Sequence, residues 1–221
     1  MSPGAVLFDL DGTLTDPKPG ITRCIAHALI GLGHAPPDLD QLAWCIGPPL
    51  RGTFARLLAT DDDTLLDRAI AIYRERFGTV GLFENAIYPG VADAVADVRA
   101  AGYATFVATS KPHVFATRIV AHFGLAALFD GVYGSELDGT RVDKGELIAH
   151  ALAERGLDPA RVVMIGDREH DMIGARRSGV RAIGVTYGYG SEAELRAHGA
   201  VAIAPAPHAI PALVQALLRA A

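Results

Sequence analysis

Apolar positions along the chain fall into two regimes. Ala5-Val6-Leu7-Phe8 is an unbroken apolar run that stops at Asp9, the pattern of a buried strand running into a polar loop. From Ile21 to Leu32 the residues Ile21, Cys24, Ile25, Ala28, Leu29 and Leu32 recur at helical spacing, and Pro36-Pro37 closes that helix. Gly47-Pro48-Pro49 is a turn, and Leu50 to Leu58 reads as helical. Leu65, Leu66, Ala69, Ile70, Tyr73 and Phe77 mark a further amphipathic helix. Residues 17–85 are thus expected to be helical, without a strand.

After Tyr88-Pro89-Gly90 helices and short apolar runs alternate. Helices are expected over Val91 to Ala101, Val114 to Phe123, Glu146 to Arg155 and Ala209 to Arg219. Strands are expected over Tyr103 to Ala108, Gly131 to Tyr133, Val162 to Ile165, Ala182 to Thr186 and Val201 to Ala204. Such alternation implies a parallel sheet covered on both faces. The expected fold is α/β: a Rossmann-like three-layer α/β/α sandwich with a parallel sheet. Residues 1–16 and 86–221 would form its core, and 17–85 a helical cap inserted into the first crossover.

Composition narrows the class. Half of the 221 residues are apolar and a fifth are charged, enough to bury a core. A net charge of −5 and the lack of any Lys/Arg run argue against nucleic acid as a partner. The mean hydropathy of +0.25 reflects alanine content, since no apolar run approaches the roughly 18–20 residues of a spanning helix. Met1-Ser2-Pro3-Gly4 carries no secretion signal, so a cytoplasmic location without membrane attachment is expected. Cys24 and Cys45, the only cysteines, are too few for a disulfide framework and read as small core residues.

In open parallel sheets chemistry collects at the carboxyl ends of strands. The first strand ends in Asp9-Leu10-Asp11-Gly12-Thr13, and the run Phe106-Val107-Ala108 in Thr109-Ser110-Lys111. Val162 to Ile165 ends in Gly166-Asp167, with Asp171 four residues on, and Lys144 sits just before a helix. Asp9, Asp11, Asp167 and Asp171 offer hard oxygen ligands for Mg²⁺, and crowded carboxylates repel one another without a cation. A Thr109 hydroxyl and a Lys144 ammonium suit phosphate oxygens. A carboxylate can also serve as nucleophile. Together these residues point to Mg²⁺-assisted phosphoryl transfer.

The ordered motifs Asp9-Leu10-Asp11-Gly12-Thr13, Thr109, Lys144, and Gly166-Asp167 with Asp171 resemble those of the haloacid dehalogenase-like hydrolase superfamily. Phe8 to Leu14, Ala108-Thr109-Ser110-Lys111-Pro112 and Gly166 to Asp171 look most like its phosphoglycolate phosphatase-type and 5′-nucleotidase-type members. The resemblance implies that Asp9 is nucleophile and metal ligand, and Asp11 general acid/base with a backbone carbonyl on Mg²⁺. Thr109 and Lys144 would hold the transferring phosphoryl group, Asp167 would ligate the metal, and Asp171 would ligate or support it. Ser110, Lys111 and, from the cap, Arg51 are further candidates for contact with substrate. His170 is expected beside the metal site rather than on it, because Mg²⁺ prefers oxygen. Trp44 is expected in the cap core.

The activity this implies is hydrolysis of a small phosphorylated metabolite, phosphoglycolate phosphatase-like, by a monomer or homodimer. A 5′-nucleotidase and a β-phosphoglucomutase-like phosphotransferase share the motifs. A catalytically silent binding module on the same fold would have no need for four clustered carboxylates.

Overall fold

The computed structural model describes residues 4–219; Met1-Ser2-Pro3, on which the reading of the N-terminus partly rests, lies outside them. In chain order the elements are β1 (Ala5–Phe8), β2 (Thr15–Asp16), α1 (Lys18–Gly31), α2 (Leu50–Leu58), α3 (Asp63–Thr79) and β3 (Ala86–Ile87). They continue as α4 (Val91–Ala100), β4 (Ala104–Pro112), α5 (His113–His122), β5 (Gly131–Ser135), α6 (Lys144–Arg155) and β6 (Val162–Gly166). The last are α7 (Glu169–Arg177), β7 (Arg181–Val185), α8 (Glu192–His198), β8 (Ala200–Ala204) and α9 (Ile210–Arg219). The chain divides into a unit of residues 1–16 and 87–221 and a second unit of residues 17–86.

The first unit is a Rossmann-like α/β sandwich. Its six-stranded sheet runs β5-β4-β1-β6-β7-β8, parallel throughout. β1 is central, at the point where strand order reverses, and its residues are no more than 1% exposed. One core layer sets Ala5, Leu7, Phe106, Met164 and Ala182 against Leu147 and Ile148 of α6, Met172 of α7 and Leu195 of α8. The alternate positions Val6, Phe8, Val107, Val163 and Ile183 are buried too, so both sheet faces are covered. Register sets up the chemistry. Phe8 stands opposite Val107 and Ile165, so Asp9, Thr109 and Asp167 emerge within two residues of the same level on one rim.

The second unit is helical. α1 and α3 pack together around Ile25, Leu29, Leu66, Tyr73 and Phe77, and α2 adds Phe54 against Tyr73. Trp44 is not in that core: it is half-buried, and the Arg56 guanidinium covers its face at 4.1 Å from the ring centroid. Cys24 and Cys45 are buried free thiols.

The sequence pattern shows neither the short strands β2 and β3 nor α7, and β4 and α8 depart from it. β4 continues through Thr109-Ser110-Lys111 to Pro112, because a register shift lets Pro112 pair with Ser135 while the Ser135 hydroxyl donates to the Ser110 carbonyl (2.8 Å). α8 lacks a visible apolar stripe, since only Leu195 of its seven residues is buried; Ser191 caps it and Gly199 ends it. Among the described residues no helix is long and apolar enough to cross a membrane.

Candidate active site

Asp9 extends the β1 ladder by one bond, its N–H donating to Ile165 O (2.9 Å). The chain then turns tightly. Leu10 O accepts from Leu14 and Thr15 N–H (both 2.9 Å), and Gly12 N–H donates to Thr15 O (2.7 Å). Gly12 has a φ of +80°, and a Cβ there would overlap the Asp167 carboxylate. Only glycine allows both the turn and this approach.

Lys144 opens α6, whose N-cap is Asp143, accepting from Glu146 N–H (3.0 Å). Its Nζ lies 2.9 Å from Asp9 Oδ1, 2.7 Å from Asp171 Oδ1 and 2.9 Å from Ala108 O. All three ammonium donors are engaged. Burial disfavours the charge, but Asp171 and Asp9 outweigh it and hold Lys144 protonated, above the ordinary lysine range.

Asp171 faces two ways. Its Oδ2 accepts the Arg168 N–H (3.1 Å) and so caps α7, while Oδ1 meets Lys144. A Cβ on Gly166 would collide with this carboxylate, so strand β6 leaves it room. Burial, opposed by Lys144, pushes the Asp171 carboxyl up to about 6. Asp167 accepts the Tyr189 N–H at Oδ2 (2.8 Å), whereas its buried Oδ1 has no hydrogen-bond partner among the described residues. Burial, then the charges of Asp171 and Asp9, push Asp167 well above the carboxylate range. Asp9, Asp167 and Asp171 each offer an oxygen, all within 4.8 Å of one another.

The Asp11 carboxylate stands apart from that trio. Its Oδ2 pairs with Lys111 Nζ at 2.7 Å, and both side chains are largely buried. Burial raises the Asp11 carboxyl above its ordinary value, and the Lys111 ammonium offsets this only in part. Thr109 is buried on the rim, and its hydroxyl oxygen accepts the Lys111 N–H (3.3 Å). Ser110 follows, its carbonyl taken by Ser135. His170 is half-buried, and burial lowers it below the ordinary histidine value. Arg51 lies in the helical unit, where its guanidinium pairs with Asp63 (2.6 Å) and Asp67.

Four carboxylates (Asp9, Asp11, Asp167, Asp171) thus meet two ammonium groups (Lys111, Lys144). Four charges against two leave two negative charges uncompensated when all are ionised. With Asp167 Oδ1 lacking a donor, the set suits a hard, oxygen-seeking divalent cation.

The comparisons decide the family. Residues 6–185, from β1 through β7, match the model of the haloacid dehalogenase-like hydrolases. The chain belongs to that family. Among curated relatives, a 5′-nucleotidase of Pseudomonas aeruginosa is 50% identical over 87% of this chain and 87% of its own. The tyrosine-protein kinase PtkA of Mycobacterium tuberculosis is 40% identical over 86% of this chain and 64% of its own. A phosphoglycolate phosphatase of Caulobacter vibrioides is 31% identical over 85% and 81%. A predicted phosphatase of Clostridium acetobutylicum superposes with a TM-score of 0.90 at 39% identity, covering 99% of this chain and 100% of that one.

This haloacid dehalogenase-like hydrolase thus has phosphatase-type relatives at 50% and 31% identity beside a kinase-named one at 40%. The family match ends just before Tyr187-Gly188-Tyr189-Gly190, the segment that touches Asp167 and the first-strand loop. No apolar period or charged motif marks this segment in the sequence; its one local signal is a Tyr-Gly repeat at a strand end.

Proposed function

We propose that the chain is an Mg²⁺-dependent phosphatase that hydrolyses a small phosphomonoester through an aspartyl-phosphate on Asp9. The observation that carries this reading is the buried trio Asp9, Asp167 and Asp171, with Lys144 bridging Asp9 to Asp171. Asp9 and Asp167, with Asp171 beside them and the Asp11 carbonyl, would hold the cation, which offsets negative charge on the carboxylates and the phosphoryl group.

An Asp9 carboxylate oxygen attacks phosphorus. The new O–P bond forms as the ester P–O bond breaks, and Asp11 gives its proton to the departing alkoxide. Asp11 then takes a proton from water, whose oxygen attacks phosphorus, breaks the Asp9–O–P bond and releases inorganic phosphate. Burial suits Asp11 to the acid half of this cycle, because it favours the protonated form. Lys144 and Lys111 supply charge toward the phosphoryl oxygens. Thr109, whose oxygen already accepts from Lys111 N–H, keeps its own hydrogen to donate. Ser110 is a further contact, and Arg51 a contact for the far end of the substrate. The helical unit of residues 17–86 acts as the cap that excludes water.

For the substrate, the relative at 50% identity supports a nucleoside 5′-monophosphate, and the relative at 31% supports 2-phosphoglycolate. Release of phosphate from nucleoside monophosphates, phosphoglycolate, sugar phosphates and pyridoxal phosphate, each with Mg²⁺ and with EDTA, tests both levels. Turnover in EDTA equal to that in Mg²⁺ would remove the mechanism. Net transfer of phosphate to a sugar rather than to water would replace the hydrolase with a mutase.

A further inference from the structure

The segment Tyr187-Gly188-Tyr189-Gly190 leaves β7 and packs against both halves of the site. Tyr189 spans it from end to end. Its backbone N–H donates to Asp167 Oδ2 at 2.8 Å, while its hydroxyl donates to Asp16 Oδ1. Asp16 ends β2, directly after the loop that carries Asp9 and Asp11. Tyr187 makes a second tie, its hydroxyl donating to Thr13 O in that loop (3.0 Å), with its ring edge-on to Tyr88 at 5.1 Å between centroids. Between the two tyrosines, a Cβ on Gly188 would overlap Gly12 O and meet Asp167, so the segment lies flat on both.

We propose that Tyr189 is a positioning residue that sets the separation between Asp167 and the Asp9–Asp16 loop, and so tunes the affinity of the site for its divalent cation. The inference rests on the reading of Asp9 and Asp167 as cation ligands. These two carboxylates come from neighbouring strands, β1 and β6, whose last shared ladder bond is Asp9 N–H to Ile165 O. The sheet aligns the two backbones up to that bond, and the chain that follows each carboxylate lies beyond it. Tyr189 links one carboxylate directly to the far end of the loop that follows the other. Losing the hydroxyl leaves the backbone bond to Asp167 in place and removes the ties to Asp16 and to the Tyr88 hydroxyl, so the effect should fall on alignment rather than on folding.

The test is calorimetric titration of Mg²⁺ into the full chain in phosphate-free buffer, with no substrate present. Tyr189→Phe and Asp16→Ala should each weaken Mg²⁺ binding about three- to tenfold, the loss expected for one hydrogen bond. The double variant should be no weaker than Tyr189→Phe, because that variant already lacks the bond to Asp16. Asp16→Asn, which keeps an acceptor oxygen but not the charge, should bind close to wild type. Tyr133→Phe is the structural control. Its hydroxyl donates to Glu154 (3.0 Å) and accepts from Arg155 (2.6 Å), so the variant should lose thermal stability and keep wild-type Mg²⁺ affinity. Wild-type affinity in Tyr189→Phe, or an equal loss in Tyr133→Phe, would overturn the positioning role. A wild-type chain that takes up no Mg²⁺ would instead overturn the proposed function, and the inference with it.

Discussion

Lys111 Nζ lies 2.7 Å from Asp11 Oδ2, while Lys144 Nζ lies 2.9 Å from Asp9 Oδ1. Two carboxylates two residues apart are thus given different ammonium partners. The division matches the two roles proposed for them. Asp9 sits with Asp167 and Asp171, within reach of a shared cation, and Asp11 is buried where its proton is favoured.

Asp9→Asn should abolish turnover, because an amide neither attacks phosphorus nor ligates Mg²⁺ well. The fold should survive, since one of the crowded acids has been neutralised. Steady-state assay with a thermal melt checks both; activity within about tenfold of wild type, a barrier change of only ~1.4 kcal/mol, would remove Asp9 as nucleophile.

Asp11→Asn should cost about 10²–10⁴-fold on an alkyl phosphate. On p-nitrophenyl phosphate the loss should be smaller, because that leaving group departs with little need of a proton. Equal losses on the two esters would assign Asp11 to structure or metal binding.

Asp167→Asn should raise the thermal midpoint of the cation-free protein at pH 7–8. Asp167 is raised well above the ordinary carboxylate value, and Asp171 from 3.8 to about 6. A carboxyl whose pKa is higher folded than unfolded retains its proton longer in the folded state. Stability therefore falls as pH rises through the window from its unfolded to its folded pKa, and stays low above it. Removing Asp167 recovers that loss, and the gain should shrink toward pH 5 as the wild-type carboxyls protonate. His170, lowered below 6.5, opposes this trend on acidification. Wild type and variant are accordingly compared by melting at each pH, with EDTA. Added Mg²⁺ should stabilise wild type more at pH 7.5 than at pH 5.5, and the variant little. A variant melting below wild type at pH 7.5 would contradict this account.

Lys144→Met should destabilise the metal-free fold by roughly 3–5 kcal/mol, because it strands Asp9 and Asp171 with their buried charges. Adding Asp171→Asn should recover part of that loss, with activity still absent. Chemical denaturation of the single and double variants measures both. Purely additive losses would show that Lys144 and Asp171 do not act as a pair.

The sequence by itself determined the α/β class, the helical stretch of residues 17–85 and the strand-end positions of Asp9 and Asp167, whereas Thr109 lies inside β4. Each rests on local information: an apolar run of strand length, a 3.6-residue stripe, a polar residue where the run stops. α8 escaped because one buried leucine makes no stripe, although Ser191, Glu194 and Gly199 already carried its cap and stop signals. Tertiary structure alone decided which carboxylate meets which ammonium. Lys111 pairs with Asp11 because β4 runs on past Thr109, and Lys144 reaches Asp9 and Asp171 because α6 starts where α7 and β1 converge. It also decided that Tyr189, some 20 residues beyond Asp167, spans from that carboxylate to Asp16. These pairings depend on strand register and helix approach, which are set by burial across the whole sheet. A linear pattern can place a charged group on the rim, but its partner there is chosen by the other five strands.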